Sequence, residues 1–207
     1  RYYGLLELAE KYEIFKKVIG VKGSIVECGV HQGFGVMAWT KFSAILEPVN
    51  LTRRIYGFDT FEGLSGVAEK DMSEASNHVN NKDLSADSYE ELKELAAIHD
   101  TTRFLGHIPK IELIKGEAQK TIPAFIEKNP HLLVSLLILD FDIYEPTKTA
   151  LEYFVPRMPR GAVLVFDELD NPLWPGETLA MLEKFKERPL KIERLPFDPY
   201  IAFAVID

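Results

Sequence analysis

Short apolar runs recur along the chain, most of them closing on an acid or a glycine. They alternate with stretches whose apolar residues return every three or four positions. Two runs are apolar at every position. Leu136-Leu137-Ile138-Leu139 leads straight into Asp140-Phe141-Asp142, and Ala162-Val163-Leu164-Val165-Phe166 into Asp167-Glu168. Such runs read as strands buried on both faces, as in a parallel sheet covered by helices. The pattern predicts strands at Ser24–Cys28, Arg54–Phe58, Ile111–Ile114, Val134–Leu139 and Ala162–Phe166.

Helical spacing places a first helix over Tyr2–Val18, with apolar positions Tyr3, Leu6, Leu8, Tyr12, Phe15 and Ile19. Further helices are predicted at Val36–Leu46, Tyr89–Ile98, Ala118–Lys128, Thr147–Val155 and Glu177–Lys186. Ser88 with Glu91 has the form of a capping box. Pro146 suits a helix start, where its missing N–H does no harm. Leu190–Leu195 and Tyr200–Ile206 flank a turn holding Pro196 and Pro199, which predicts a terminal hairpin. Strand and helix alternate through most of the chain, so the expected fold is α/β with a doubly wound parallel sheet in a single domain. Residues Thr60–Asp87 break the pattern. They are polar and irregular, with Asn77, Asn80 and Asn81 among them, and a stretch of this length in a compact domain is a functional lid or a disordered segment.

Composition narrows the partners. The chain has 207 residues, enough for one sizeable domain, and a formal net charge of −8. An acidic chain whose nearest basic cluster is Arg53-Arg54 lacks the clustered cations that phosphate backbones require, so no nucleic-acid partner is expected. No run approaches the ~20 apolar residues of a membrane span, and none reads as a signal peptide. One cysteine, Cys28, excludes an internal disulfide, and a cytoplasmic setting is the simplest expectation. Cys28 itself reads as a small buried core residue.

The chemistry is expected at the carboxyl ends of the strands, where ligands bind in open α/β sheets. Carboxylates converging there repel one another unless a cation or a proton intervenes. The first strand runs into Glu27-Cys28-Gly29-Val30-His31-Gln32-Gly33-Phe34-Gly35. Glycines in a strand-to-helix turn let a ligand approach the backbone. Their spacing departs from the nicotinamide-cofactor fingerprint, and Gly-Lys-Ser/Thr is absent. The second strand closes on Asp59, a place where an acid takes a ribose diol, and the third on Lys115-Gly116-Glu117. Taken singly, each acid also reads as a solvated loop residue. Asp140 and Asp142 also read as carboxylates bonded to helix N-termini. His31 and His78 lie in loops near this edge, as a base, a substrate contact or solvated residues. Trp174 either walls an acceptor pocket or packs its loop.

Together, Val26-Glu27-Cys28-Gly29-Val30, Gly57-Phe58-Asp59-Thr60-Phe61-Glu62-Gly63-Leu64, Leu139-Asp140-Phe141-Asp142-Ile143-Tyr144-Glu145-Pro146-Thr147 and Phe166-Asp167-Glu168 resemble the macrocin O-methyltransferase family of class I S-adenosylmethionine-dependent methyltransferases. The resemblance runs from about Gly23 to the end of the chain. It implies a three-layer, Rossmann-like sheet of seven strands whose last strand is antiparallel. It implies that Glu27, Gly29 and Gly33 line the methionine end of the cofactor, with Cys28 and Gln32 beside them. Asp59 then binds the ribose next to Thr60, Gly116 and Glu117 flank the adenine, and Asp140 also borders the cofactor. Asp140, Asp167 and Glu168 are implied ligands of a divalent cation, magnesium, with Asp140 and Asp142 catalytic and Asp142 a ligand or the general base. Relatives with sugar substrates often carry two Asp after the fifth strand. Glu168 stands at the second place and reaches one methylene farther.

The expected function is thus S-adenosylmethionine-dependent O-methylation, magnesium-assisted, of a small hydroxylated acceptor such as a sugar or natural product. The acidic cluster alone also suits a metal-dependent hydrolase, and the fold a cofactor-binding homologue without turnover. The short segment ahead of Gly23 suggests a substrate lid that is missing or supplied by a neighbouring subunit, which favours a homo-oligomer.

Overall fold

The computed structural model describes residues 2–75 and 79–207. Helix α1 (Tyr2–Val18) leads into β1 (Ser24–Cys28), α2 (Phe34–Leu46) and β2 (Ile55–Asp59). After the long loop come α3 (Tyr89–Thr102), β3 (Ile111–Lys115), α4 (Ala118–Lys128), β4 (Val134–Leu139), α5 (Tyr144–Phe154), β5 (Val163–Phe166), α6 (Pro175–Lys184), β6 (Glu193–Arg194) and β7 (Ala202–Val205).

The strands form one seven-stranded sheet in the order β3-β2-β1-β4-β5-β7-β6. β1 to β5 run parallel, and β7 is antiparallel to both β5 and β6. The predicted doubly wound sheet and its antiparallel end are therefore present. The predicted hairpin also forms, although only Glu193 and Arg194 of the first arm pair.

Period-two alternation divides the core. Leu136, Ile138, Val163 and Val165 face a cluster built on Ile14, Phe15 and Val18 of α1, Val36 and Trp39 of α2, and Leu92 of α3. Leu137, Leu139, Leu164 and Phe166 face Ile122 and Phe125 of α4, Leu151 and Phe154 of α5, and Ala180 of α6. Two buried faces explain why β4 and β5 are apolar throughout. The order reverses between β1 and β4, the switch point at which such sheets bind ligands.

Five local expectations are corrected. In α1 the buried stripe is Glu10, Ile14, Phe15 and Val18, while Leu6, Leu8, Tyr12 and Ile19 stay exposed, because the helix meets the sheet through the other edge of its apolar arc. The capping box at Ser88 does not form; its hydroxyl donates to the His31 carbonyl instead, so a tertiary partner outcompetes the local cap. Helix α5 starts at Tyr144, three residues earlier than predicted. The buried Asp71 of the long loop accepts the Tyr144 N–H at 2.6 Å and so satisfies a donor that the first turn leaves open. Helix α6 begins at Pro175 and α2 at Phe34 rather than two residues later.

The 60–87 segment is thus irregular but tied down in its described parts. Asp71 also accepts the Ala68 N–H at 2.8 Å, and Asn81 accepts the Gly66 and Val67 N–H groups at 3.0 and 3.1 Å. Asn77 and His78 lie outside the described residues.

Candidate active site

Backbone bonds continue one residue past the strands and align their ends. The Gly29 N–H donates to the Phe58 carbonyl, Asp140 to Cys28, Gly116 to Asp59 and Asp167 to Leu139. The residues just past four parallel strands therefore form one rim. A Cβ on Gly29, whose φ is +94°, would lie 1.8 Å from the Asp140 carbonyl oxygen, so only glycine lets the β1 and β4 ends meet this closely.

A cavity of about 350 Å³ opens over the rim. It brings together Gly29, Asp59, Thr60, Gly116, Glu117, Asp140, Asp142, Asp167 and Glu168, all singled out in the sequence, and also His31 and Trp174. The other cofactor candidates lie beside or beneath it. Glu27 is buried under the glycine turn. The Cys28 thiol is buried in the core, which pushes its pKa well up. Gly33 is packed beneath Leu92, where a Cβ would meet the leucine at 2.2 Å. Gln32 is exposed on the turn.

Each rim acid has a distinct setting. Asp59 accepts the Val30 and His31 N–H groups on Oδ2 at 2.7 and 2.8 Å, and the Phe61 N–H on Oδ1 at 2.6 Å. It therefore shapes the glycine turn; Oδ2 is filled by its two bonds, and Oδ1, which carries one, keeps a lone pair for a ligand. Glu117 faces the cavity and pairs with Lys120 at 2.6 Å. Glu27 accepts the Trp39 indole N–H at 2.6 Å, and burial pushes its pKa up to about 7. Gly35 makes room for it, since a Cβ there would lie 2.2 Å from Glu27 Oε1.

Asp140 lines the cavity with an exposed surface. Crowding of its carboxyl by surrounding protein, reinforced by Asp167, Asp142, Glu177 and Glu27, holds it above the usual carboxylate range. Asp142 is 9% exposed and sits at φ +63°, a left-handed conformation that is costly for a non-glycine residue. Burial, with Glu168, Asp167 and Asp59, pushes its pKa up to about 8. Burial also raises Asp167 and Glu168.

Glu177, three residues into α6, is a member of this group that the sequence did not single out. It is fully buried; Oε1 accepts the Glu168 N–H at 2.9 Å, while Oε2 has no hydrogen-bond partner among the described residues. Only the fold brings residue 177 under residue 168, and the sequence carries no local sign of it.

The donor set is all oxygen and mutually repelling, with an orphaned buried oxygen at its base, which fits a hard divalent cation. The side chains are not gathered around one point, however. Among the described residues, no group of three or more His, Cys, Asp or Glu could hold a metal ion as placed. Glu168 uses its extra methylene to fold back onto the Asn171 side-chain amide.

The sheet order, the glycine turn and the acidic rim define an α/β methyltransferase. A family comparison matches residues 7–193 to TylF, macrocin-O-methyltransferase. The chain belongs to this family, and its enzyme class is S-adenosylmethionine-dependent methyltransferase.

Among solved structures, CalS11, a calicheamicin methyltransferase, is 32% identical, with 99% of this chain and 80% of that chain covered and a TM-score of 0.91. Its apo form, described as a TDP-rhamnose 3'-O-methyltransferase, is 31% identical, covering 99% and 81% at a TM-score of 0.84. The O-methyltransferase NovP shares the fold at 21% identity, 97% and 79% coverage and a TM-score of 0.74. No curated protein matches the chain. No helix among the described residues is long and apolar enough to cross a membrane.

Proposed function

We propose that the chain methylates a hydroxyl of a small acceptor, a sugar or a sugar-bearing natural product, with S-adenosylmethionine as donor. One observation carries the reading: a single cavity joins the ribose and adenine candidates, Asp59, Gly116 and Glu117, to the acids Asp140 and Asp142 and the wall at Trp174. A cofactor lying from Glu117 toward Gly29 would present its sulfonium to the Asp140–Asp142 side. The similarity to CalS11, described as acting on TDP-rhamnose, supports a sugar acceptor.

The donor supplies the methyl group: its carbon–sulfur bond breaks as a carbon–oxygen bond forms, and the hydroxyl proton must leave. Asp142 is placed to receive that proton as general base. Its carboxyl, pushed up to about 8, is a stronger proton acceptor than an ordinary aspartate once ionised, and the ionised share grows as pH rises through about 8. Asp140, Asp167 and Glu168 would hold a divalent cation only after these side chains draw together and Glu168 leaves Asn171; held there, it would supply Lewis-acid polarisation of the acceptor oxygen. Asp59 and the glycine turn fix the position of the methyl carbon, and Trp174 and the 60–87 loop fix that of the oxygen; holding the two in line supplies much of the rate. A cytoplasmic setting agrees with the single free cysteine, and an oligomer that completes the acceptor lid would fit the open side of the cavity.

Calorimetric titration with S-adenosylhomocysteine tests the donor, and transfer of labelled methyl to nucleotide-linked sugars tests the acceptor. Binding with turnover that falls at least about a hundredfold in Asp142→Asn is expected. Turnover with magnesium against chelator tests the cation. Failure to bind at millimolar S-adenosylhomocysteine would overturn the reading.

A further inference from the structure

We infer that Lys11 of α1 recognises the α-carboxylate of the methionine tail of the cofactor; the inference rests on the cofactor reading above. The N-terminal half of α1 stands at the carboxyl edge of the sheet, since the chain turns at its far end, through Gly20–Gly23, to enter β1 from below. Lys11 reaches toward the glycine turn. Its ammonium lies 5.8 Å from the ring centre of Phe34, the residue after Gly33, and 5.7 Å from that of Trp39. The same Trp39 donates its indole N–H to Glu27. One indole therefore links a buried carboxylate and a nearly buried ammonium, both beside the turn.

An α-amino acid head group carries one positive and one negative charge. A site that reads it needs a partner for each. Glu27 and Asp140 offer the acids. Lys11 offers the cation, and its electrostatic partners are Glu10, Glu27, Glu7 and Asp140. Burial works against its charge, but these acids outweigh it and keep the amine protonated. The amine is not saturated by them. Its ion pairs with Glu7 and Glu10 span 3.4 and 3.9 Å, longer than a charge-assisted hydrogen bond, which leaves donors for a further anion. A structural lysine on a helix surface would extend into solvent, whereas this side chain is only 13% exposed and folds inward over two rings.

The test compares S-adenosylhomocysteine with its carboxyl methyl ester, which keeps the ammonium and loses the negative charge. Calorimetry would be run on the wild type, Lys11→Met and Lys11→Arg. In the wild type the ester should bind about tenfold more weakly than the acid, and in Lys11→Met the two should bind alike, because the acid alone loses affinity. Lys11→Arg keeps the charge and should keep the preference for the acid, which provides the test if Lys11→Met does not fold. Equal loss of both ligands in Lys11→Met, or an unchanged preference there, overturns the inference while leaving the cofactor reading standing. A wild type that binds neither ligand overturns both.

Discussion

At the scale of single residues, the site depends on close approaches that a methyl group would block. Gly35 and Glu27 make the clearest case. Gly35→Ala puts a Cβ against the Glu27 carboxylate, which is held on its other side by Trp39, so the acid must leave its place. Gly35→Ala is expected to weaken S-adenosylhomocysteine binding at least about tenfold while the protein still melts cooperatively; an unchanged affinity would show that Glu27 has no part in cofactor binding.

Glu10 gives a pH prediction. It is buried on α1, faces Lys11, Asp198, Asp167 and Glu7, and burial pushes its pKa up to about 8. A folded-state value above the ordinary carboxylate range means that the folded state binds this proton more tightly than the unfolded chain. The resulting stability is complete below the unfolded pKa, about 4.5, and is lost as pH rises through about 8. Glu10→Gln keeps the neutral shape at every pH. Its melting temperature should match the wild type near pH 4 and exceed it clearly near pH 8, a stability difference on the order of 4–5 kcal/mol. Parallel curves across that range would remove the argument.

At the scale of elements, the strand ends were legible in the sequence because an apolar run buried on both faces must surface at its end, and the next one or two residues make the rim. Asp140, Asp167 and Glu168 obey that rule, while Asp59 closes β2 itself and Asp142 comes three residues after β4. Asp71, Lys11 and Glu177 were not legible, because their partners are distant along the chain and only the packing of α1, α5 and α6 brings them in. The cap expected at Ser88 fails for the same reason, since His31 takes its hydroxyl.

Asp71 shows what such a contact does. It caps α5 from the middle of the long loop, and Gly176 of α6 leaves space for its carboxylate, which a Cβ would approach to 2.0 Å. The loop, the Asp140–Tyr144 turn and α6 are thereby fastened together. Asp71→Ala should cost about 1–2 kcal/mol of stability, the range for a lost helix cap, and hydrogen exchange should quicken at the Tyr144 amide and in the described part of the loop. Unchanged exchange there would mean that the loop is held by other contacts.

At the scale of the whole molecule, five parallel strands bring their ends to one concave edge, so groups from residue 27 to residue 177 act together. The edge is acidic and partly desolvated, a costly arrangement for a free protein and a favourable one for a cationic ligand. S-adenosylmethionine is a sulfonium, and its binding should relieve that repulsion. Ligand present at a hundredfold over its Kd should stabilise the fold by about 2.7 kcal/mol, visible as a rise of a few degrees in melting temperature. The loss of charge on going from the sulfonium to S-adenosylhomocysteine should make that rise smaller at equal concentration. Equal shifts for the two would argue that the rim does not sense the charge.

The most direct measurement is a crystal structure with S-adenosylhomocysteine bound. The account predicts the adenine beside Gly116 and Glu117, the ribose hydroxyls on Asp59, and the sulfur facing the Asp140–Asp142 turn. A nucleoside bound elsewhere, or a sulfur turned away from those two aspartates, would contradict it.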